Sequence, residues 1–270
     1  MLTWGQVDIW ATVPEAVAAP QLEALAAALS ADEQARAGGF ALEAARRRFI
    51  VTRALLRRAL SRYAEVAPEG WVFERGSHGK PGLVGTQAAL GLCFNVTHTP
   101  GLALCAVARS DVGIDVQDIT RAPPPGVGER YLSVLERQAL AAAPEGERAD
   151  RFFERWTLKE AYVKARGLGF ALPLAQIGFE LVPSGDADPA GLVSDASSAS
   201  LQLGPGCPDD GRRYWLKAWR FSGQHRAALA LAQPPDGALP HAPEVSTESW
   251  PLVCLRADAG LPPLASPGRP

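Results

Sequence analysis

The sequence predicts an α+β protein made of two similar halves, and three observations carry that prediction. Residues 21–29 and 41–63 are rich in Ala, Leu and Arg and contain neither Pro nor Gly, a composition that favours helix. Strand-like runs follow them, and the succession of helices and then strands returns between residues 131 and 232. The chain has 270 residues, of which 47% are hydrophobic and 21% charged, enough apolar material for a sizeable core. The halves are placed at residues 1–110 and 111–233. The Pro-rich tail, 234–270, is expected to be disordered because it lacks contiguous apolar surface to offset ordering entropy.

Taken in order, the two helices of the first half lead to "ERGSHGKPG" (74–82), whose glycines and proline mark a turn. "CFNVTHT" and "LALCAVA" flank Pro100-Gly101 and read as a hairpin with a buried second strand, and "VGIDVQDI" follows as another strand. Three consecutive prolines make 121–130 a loop. "YLSVLERQALAA" and "ADRFFERWTLKEAYVKARG" read as helices, the second stopped by Gly167 and Gly169. "IGFELV", "RYWLKAWRF" and "HRAALALA" read as strands, with a mobile loop at 186–200 between the first two.

A formal net charge of −2 and a pI near 6.1 provide no general attraction to nucleic acid or anionic membrane, so any anion site must be local. No apolar run reaches the roughly 18 residues of a membrane helix. Cys93, Cys105, Cys207 and Cys254 form no CxxC pair, and the start lacks a signal-peptide pattern, so a reduced, cytoplasmic protein is expected. Zinc-ligand spacing and the GxxxxGK[ST] phosphate loop are both absent, which disfavours zinc hydrolases and P-loop NTPases.

Several residues carry candidate chemistry. Asp115 sits between Ile114 and Val116, where a lone carboxylate is costly to desolvate, and strand alternation puts Gln117 on its face. It reads either as a strand-end cap or arginine partner, or as a ligand. Glu160 and Lys164 extend the stripe of Phe152, Trp156 and Val163. They form either an i,i+4 ion pair worth about 0.2–0.5 kcal/mol, or, with Asp115, a seat for Mg²⁺ and a phosphate. "RRRFIVTRALLRRALSR" is for the most part a solvated basic face, but Arg53 falls on the apolar stripe of Phe49, Leu56, Leu60 and Tyr63 and wants an acidic partner or a phosphate. Arg75 and Lys80 belong to a basic hairpin tip or an anion site. His98 is a core histidine or a phosphate partner, with Thr97 adding a hydroxyl.

Together "GIDVQ", the 45-residue spacing from Asp115 to Glu160, "FFERWTLKEAYVKARGLGF", "FNVTH" and "GKP" resemble the signature motifs of the 4′-phosphopantetheinyl transferase superfamily, in its larger surfactin-synthetase-activating form. The likeness runs from about residue 30 to 232. It implies a pseudo-dimer of two α+β subdomains with coenzyme A in the cleft between them and Mg²⁺ on its pyrophosphate. It also implies metal ligands at Asp115 and Glu160, a phosphate-contacting lysine at Lys164, and basic positions near the adenosine 3′-phosphate at Arg36 and Arg75. Lys80, Asn95, Thr97 and His98 match further coenzyme contacts, with Asp115 and Lys164 also facing the coenzyme. Many members carry a second acidic residue where this chain has Gln117, so Gln117 stands as a third ligand or as the holder of a metal-bound water.

The activity implied is transfer of phosphopantetheine from coenzyme A to a serine of an apo acyl, aryl or peptidyl carrier protein, of the holo-[acyl-carrier-protein] synthase type, releasing 3′,5′-ADP. Glu160, Lys164 and His98 are the expected catalytic residues, and fatty-acid, polyketide or nonribosomal-peptide synthesis the expected setting. The duplicated architecture implies a monomer. The alternatives are an inactive relative that binds coenzyme A or a carrier, and a nucleic-acid-binding protein using the Arg-rich helix.

Overall fold

The computed structural model describes residue 2 and residues 4–184, 193–221 and 223–233; the predicted tail lies outside them. The elements run β1 (Val7–Thr12), α1 (Ala19–Ala27), α2 (Ala31–Gly38), α3 (Glu43–Leu60), β2 (Phe73–Arg75), β3 (Pro81–Leu83), β4 (Cys93–Thr99) and β5 (Leu102–Ala108). Then come β6 (Val112–Asp118), α4 (Val127–Tyr131), α5 (Val134–Ala142), α6 (Glu145–Arg166), β7 (Ile177–Pro183), β8 (Val193–Leu203), β9 (Tyr214–Phe221) and β10 (His225–Ala232).

Two antiparallel sheets hold the molecule together, with strand orders β1-β5-β4 and β6-β10-β9-β8-β7, and β2 and β3 form a separate hairpin. The halves repeat one plan. A first strand pairs with the last strand of a hairpin (β4–β5 or β9–β10), and the long helix, α3 or α6, lies between them in sequence. The second half adds β7 and β8 at its edge.

Strand alternation explains the layering. Leu102, Leu104, Ala106 and Ala108 of β5 join Val7, Ile9 and Ala11 of β1 in a cluster that also takes Val112, Ile114 and Val116 of β6, Trp219 and Phe221 of β9, and Leu229 of β10. The intervening Ala103, Cys105 and Val107 face Leu55, Leu56, Ala59 and Leu60 of α3. On the far side Ala228 and Ala230 of β10 meet Leu158, Ala161 and Tyr162 of α6. The order is helix, sheet, sheet, helix, and β5 and β10 are buried on both faces, which is why they read as unbroken apolar runs.

The structure departs from expectation in five places, the first being α4, which takes up residues 127–130 of the expected 121–130 loop. β1 was not anticipated; its inward residues Val7, Ile9 and Ala11 alternate over only six positions. α2 also appears, opened by a capping box in which Ser30 and Glu33 exchange side-chain-to-backbone bonds. Residues 186–192 of the predicted mobile loop lie outside the described residues, but 193–200 belong to β8, held by pairing with β7 and β9. Ladder bonds on both sides set the conformation of this Ser/Ala-rich stretch where side-chain propensity is weak. The arginines of α3 do not form a solvated face. Arg57 is 2% exposed and most of the others are half-buried. Arg47, Arg53 and Arg57 satisfy internal acceptors and so are not part of a free basic stripe on this helix.

Candidate functional site

β6 and α6 build the site, and Gly113 sets their separation. A Cβ added there would lie 2.0 Å from the Ala161 carbonyl oxygen and 2.4 Å from the Ala165 amide nitrogen, so only glycine lets the helix backbone rest on the strand. The alanines opposite are those of the helix motif. With the helix seated, Asp115 and Gln117 point from β6 toward α6, while Val112, Ile114 and Val116 enter the inter-sheet core.

Asp115 is 3% exposed and fully engaged. One carboxylate oxygen accepts from the Lys164 ammonium at 2.5 Å and from the Thr97 hydroxyl at 3.2 Å; the other accepts from the Gln117 amide nitrogen at 3.1 Å. Lys164 also donates to the Ile114 carbonyl at 3.2 Å. The simple i,i+4 pair is therefore not what forms, because Lys164 reaches across to the strand. Glu160 is half-buried and accepts no hydrogen bond from the described residues. Burial, followed by the Asp115 charge, raises its pKa, with Lys164 partly opposing.

Neighbouring elements close the site. Asn95, on the same face of β4 as Thr97, accepts from the Ile114 amide at 3.0 Å and so joins β4 to β6. Lys80, after the β2–β3 turn, donates to the carbonyls of Val112 (3.3 Å) and Ala165 (3.0 Å), spanning the two halves at the end of α6. Burial lowers its pKa, opposed by Asp111. Lys80, Asn95, Glu160 and Lys164 line a cavity of about 240 Å³ whose other walls include Val163 and Leu174. A second cavity, about 690 Å³, holds Arg36 and Arg75 together with Arg53 and Arg57, and shares Gly79 and Pro81 with the first. The two adjoin at these residues.

His98 stands apart from Thr97. Alternation turns it to the α3 side of β4, at the exposed strand end, and it lines neither of these two cavities. Its pKa is lowered by burial first and then by the Arg48 and Lys164 cations, with Glu15 opposing. Arg53 takes the acidic partner that its position called for: its Nε meets Glu33 at 2.5 Å, and Arg57 shares the same carboxylate at 2.8 Å. Trp156 is half-buried, stacked on Phe152 (centroids 6.1 Å apart) and close to Tyr131 (5.6 Å), so it fixes α4 against α6.

Two supporting residues escaped sequence reasoning. Gly113 carried a readable signal, a glycine inside an apolar strand. Lys159 carried none. It is 0% exposed, pairs with Glu136 of α5 at 2.8 Å, and donates to the carbonyls of Leu174 and Ile177. Glu136 in turn closes the α5 capping box with Ser133.

Family models describe the same chain in two parts: "4'-phosphopantetheinyl transferase, N-terminal" matches residues 16–110, and "4'-phosphopantetheinyl transferase superfamily" matches 111–228. The 4′-phosphopantetheinyl transferase HetI of Nostoc sp. is 37% identical over 207 residues, 76% of this chain and 84% of its own. This chain belongs to the 4′-phosphopantetheinyl transferase superfamily. A putative 4′-phosphopantetheinyl transferase of Synechocystis, slr0495, is 29% identical over 223 residues, 81% of this chain and 80% of its own. The 4′-phosphopantetheinyl transferase Sfp of Bacillus subtilis is 25% identical over 180 residues, 67% of this chain and 71% of its own. Phosphopantetheinyl transfer to a carrier protein is the activity this membership supplies.

Proposed function

We propose that the protein moves the 4′-phosphopantetheine group of coenzyme A to a serine hydroxyl of an apo carrier protein through the Asp115–Glu160–Lys164 cluster. The serine oxygen forms a new bond to the phosphorus attached to pantetheine, the pyrophosphate P–O bond breaks, and 3′,5′-ADP leaves. The observation that carries the residue assignment is the pairing of Lys164 with Asp115, which leaves the Glu160 carboxylate beside them without a hydrogen bond at the wall of the cleft.

The donor set fits Mg²⁺. Two carboxylates and an amide oxygen are hard ligands, no larger His, Cys, Asp and Glu cluster occurs among the described residues, and Mg²⁺ characteristically takes its remaining ligands from water and phosphate. Asp115 and Glu160 would hold the ion, with Gln117 a third ligand or the holder of a metal-bound water. When bound, it neutralises charge on the pyrophosphate. Lys164 supplies a fixed cation for the phosphates, Lys80 and Asn95 line their path, and Arg36 and Arg75 offer guanidinium forks for the 3′-phosphate. His98 is assigned to the leaving nucleotide by the resemblance alone, since it lines neither cavity. Glu160 receives the serine proton, directly or through water.

The reading extends to a monomer in the cytoplasm, since duplication supplies both walls of the cleft, and to holo-[acyl-carrier-protein] synthase activity among the carrier classes served. Release of 3′,5′-ADP from coenzyme A should require Mg²⁺ and an apo carrier, and should vanish in Glu160→Gln while circular dichroism is unchanged. Full release by that variant would remove Glu160 from the mechanism.

A further inference from the structure

A third cavity, about 860 Å³, lies where the chain passes from the first half to the second, and it shares no lining residue with the two described above. Arg109 and Ser110, in the turn from β5 to β6, line it together with Trp4, ahead of β1, and Arg212 and Arg213, ahead of β9. Its charges do not cancel. Of its carboxylates, Asp111 meets Arg212 at 2.6 Å, and Asp210 meets Arg166 at 3.0 Å and the Tyr214 hydroxyl at 2.7 Å. Arg109 donates only to the carbonyls of Leu2 and Leu90, and no carboxylate pairs with it among the described residues. The exposed Arg213 side chain forms neither a hydrogen bond nor an ion pair among them. Two guanidinium charges therefore line one cavity without an anion to match them.

Ser110 supplies an independent observation. It is 8% exposed, and its hydroxyl oxygen is buried with no hydrogen-bond partner. Of the buried side-chain polar atoms left without a partner among the described residues, it is the one that belongs to the wall of these three cavities. A hydroxyl desolvated in this way is costly unless a ligand completes its bonding. Trp4 adds a flat apolar surface, since its side chain is 61% exposed at the same cavity.

We infer that this cavity binds a small phosphate monoester carrying a flat ring, with Arg109, Arg213 and Ser110 on the phosphate and Trp4 against the ring. Two unmatched positive charges suit the nearly double negative charge of a phosphate monoester better than the single charge of a carboxylate. The guanidinium of Arg213 offers a planar fork for two phosphate oxygens, and the Ser110 hydroxyl donates to a third. The site stands apart from the cavities assigned to the coenzyme, so the inference does not depend on that assignment.

The test is an NMR titration of the full chain, labelled with nitrogen-15, against phenyl phosphate, benzoate and inorganic phosphate at fixed ionic strength. It is read at the Trp4 indole N–H signal, identified by its loss in Trp4→Phe; Trp4 lines this cavity and neither of the other two, so the signal reports this site. Phenyl phosphate should shift the signal saturably, and benzoate and inorganic phosphate should each bind more weakly. Arg213→Gln should weaken phenyl phosphate binding by about 10- to 100-fold, and Ser110→Ala by about 10-fold. Ser110→Ala should do so without lowering the thermal midpoint, because the hydroxyl it removes has no partner to lose. Arg213 is exposed, so its variant keeps the test open if Ser110→Ala does not fold. A shift that does not saturate with phenyl phosphate, benzoate or inorganic phosphate binding as tightly as phenyl phosphate, or parent-like binding in Arg213→Gln would overturn the inference.

Discussion

At the scale of single residues, the site keeps a carboxylate whose charge is opposed by burial and by Asp115. Burial and Asp115 hold the Glu160 pKa above the ordinary 4.5, so the folded state binds more protons than the unfolded state between that value and its own raised pKa. Through that window the contribution of Glu160 to stability falls as pH rises. Glu160→Gln should therefore unfold at a higher temperature than the parent at neutral pH in the presence of a chelator. The difference should close as the pH drops below the carboxylate range, and a lower midpoint at neutral pH would contradict this assignment. Gly113 is the opposite kind of residue, important for what it lacks. With a Cβ 2.0 Å from the Ala161 carbonyl oxygen, Gly113→Ala must push α6 off the strand. Overpacking of this kind costs about 1–3 kcal/mol, readable as a lower urea midpoint, and should carry transfer activity down with it. Gln117 makes a third case: Gln117→Glu should lower the Mg²⁺ concentration needed for half-maximal activity, and an unchanged titration would place residue 117 outside the ligand set.

At the scale of elements, α6 is locked from two sides, by Lys164 to β6 and by Lys159 to α5 and the start of β7. Lys159→Met leaves Glu136 buried without its cation and should destabilise the fold by about 3–5 kcal/mol. The double variant Lys159→Met, Glu136→Leu should regain most of that loss in chemical denaturation, since an apolar pair of similar volume replaces the ions. The sequence made the helix itself easy to read, with its apolar stripe and its terminal glycines, and it put Asp115 and Gln117 on one face through simple alternation. The lock was out of reach because Lys159 and Glu136 lie 23 positions apart on different elements, with no periodicity to join them. For the same reason Arg53 could be flagged as misplaced on its stripe, yet Glu33 could not be named until α2 was seen to fold back beside α3. β8 hid behind its composition, because a Ser/Ala strand is held by backbone bonds that side chains do not announce.

At the scale of the molecule, the two halves are not two globules with a gap. β1 and β5 from one pack face to face with β6, β9 and β10 from the other in a single apolar cluster. Unfolding should accordingly be one cooperative event: amides of β5 and β10 should exchange with equal free energies, and separate transitions would show that the halves are independent. The duplicated order of strands was visible in the sequence only as helices followed by strands, twice; the shared core was not, because nothing in a one-dimensional pattern says which apolar face meets which. That core holds β4 and β6 side by side, so that Thr97, Asp115, Glu160 and Lys164 meet from three separate stretches of chain. The central claim, that this meeting point transfers phosphopantetheine, is tested most directly by the intact mass of apo carrier proteins of the fatty-acid, polyketide and peptide classes after incubation with the protein, coenzyme A and Mg²⁺. At least one carrier should gain the mass of a single phosphopantetheine group on its serine; no gain on any of them would contradict the claim.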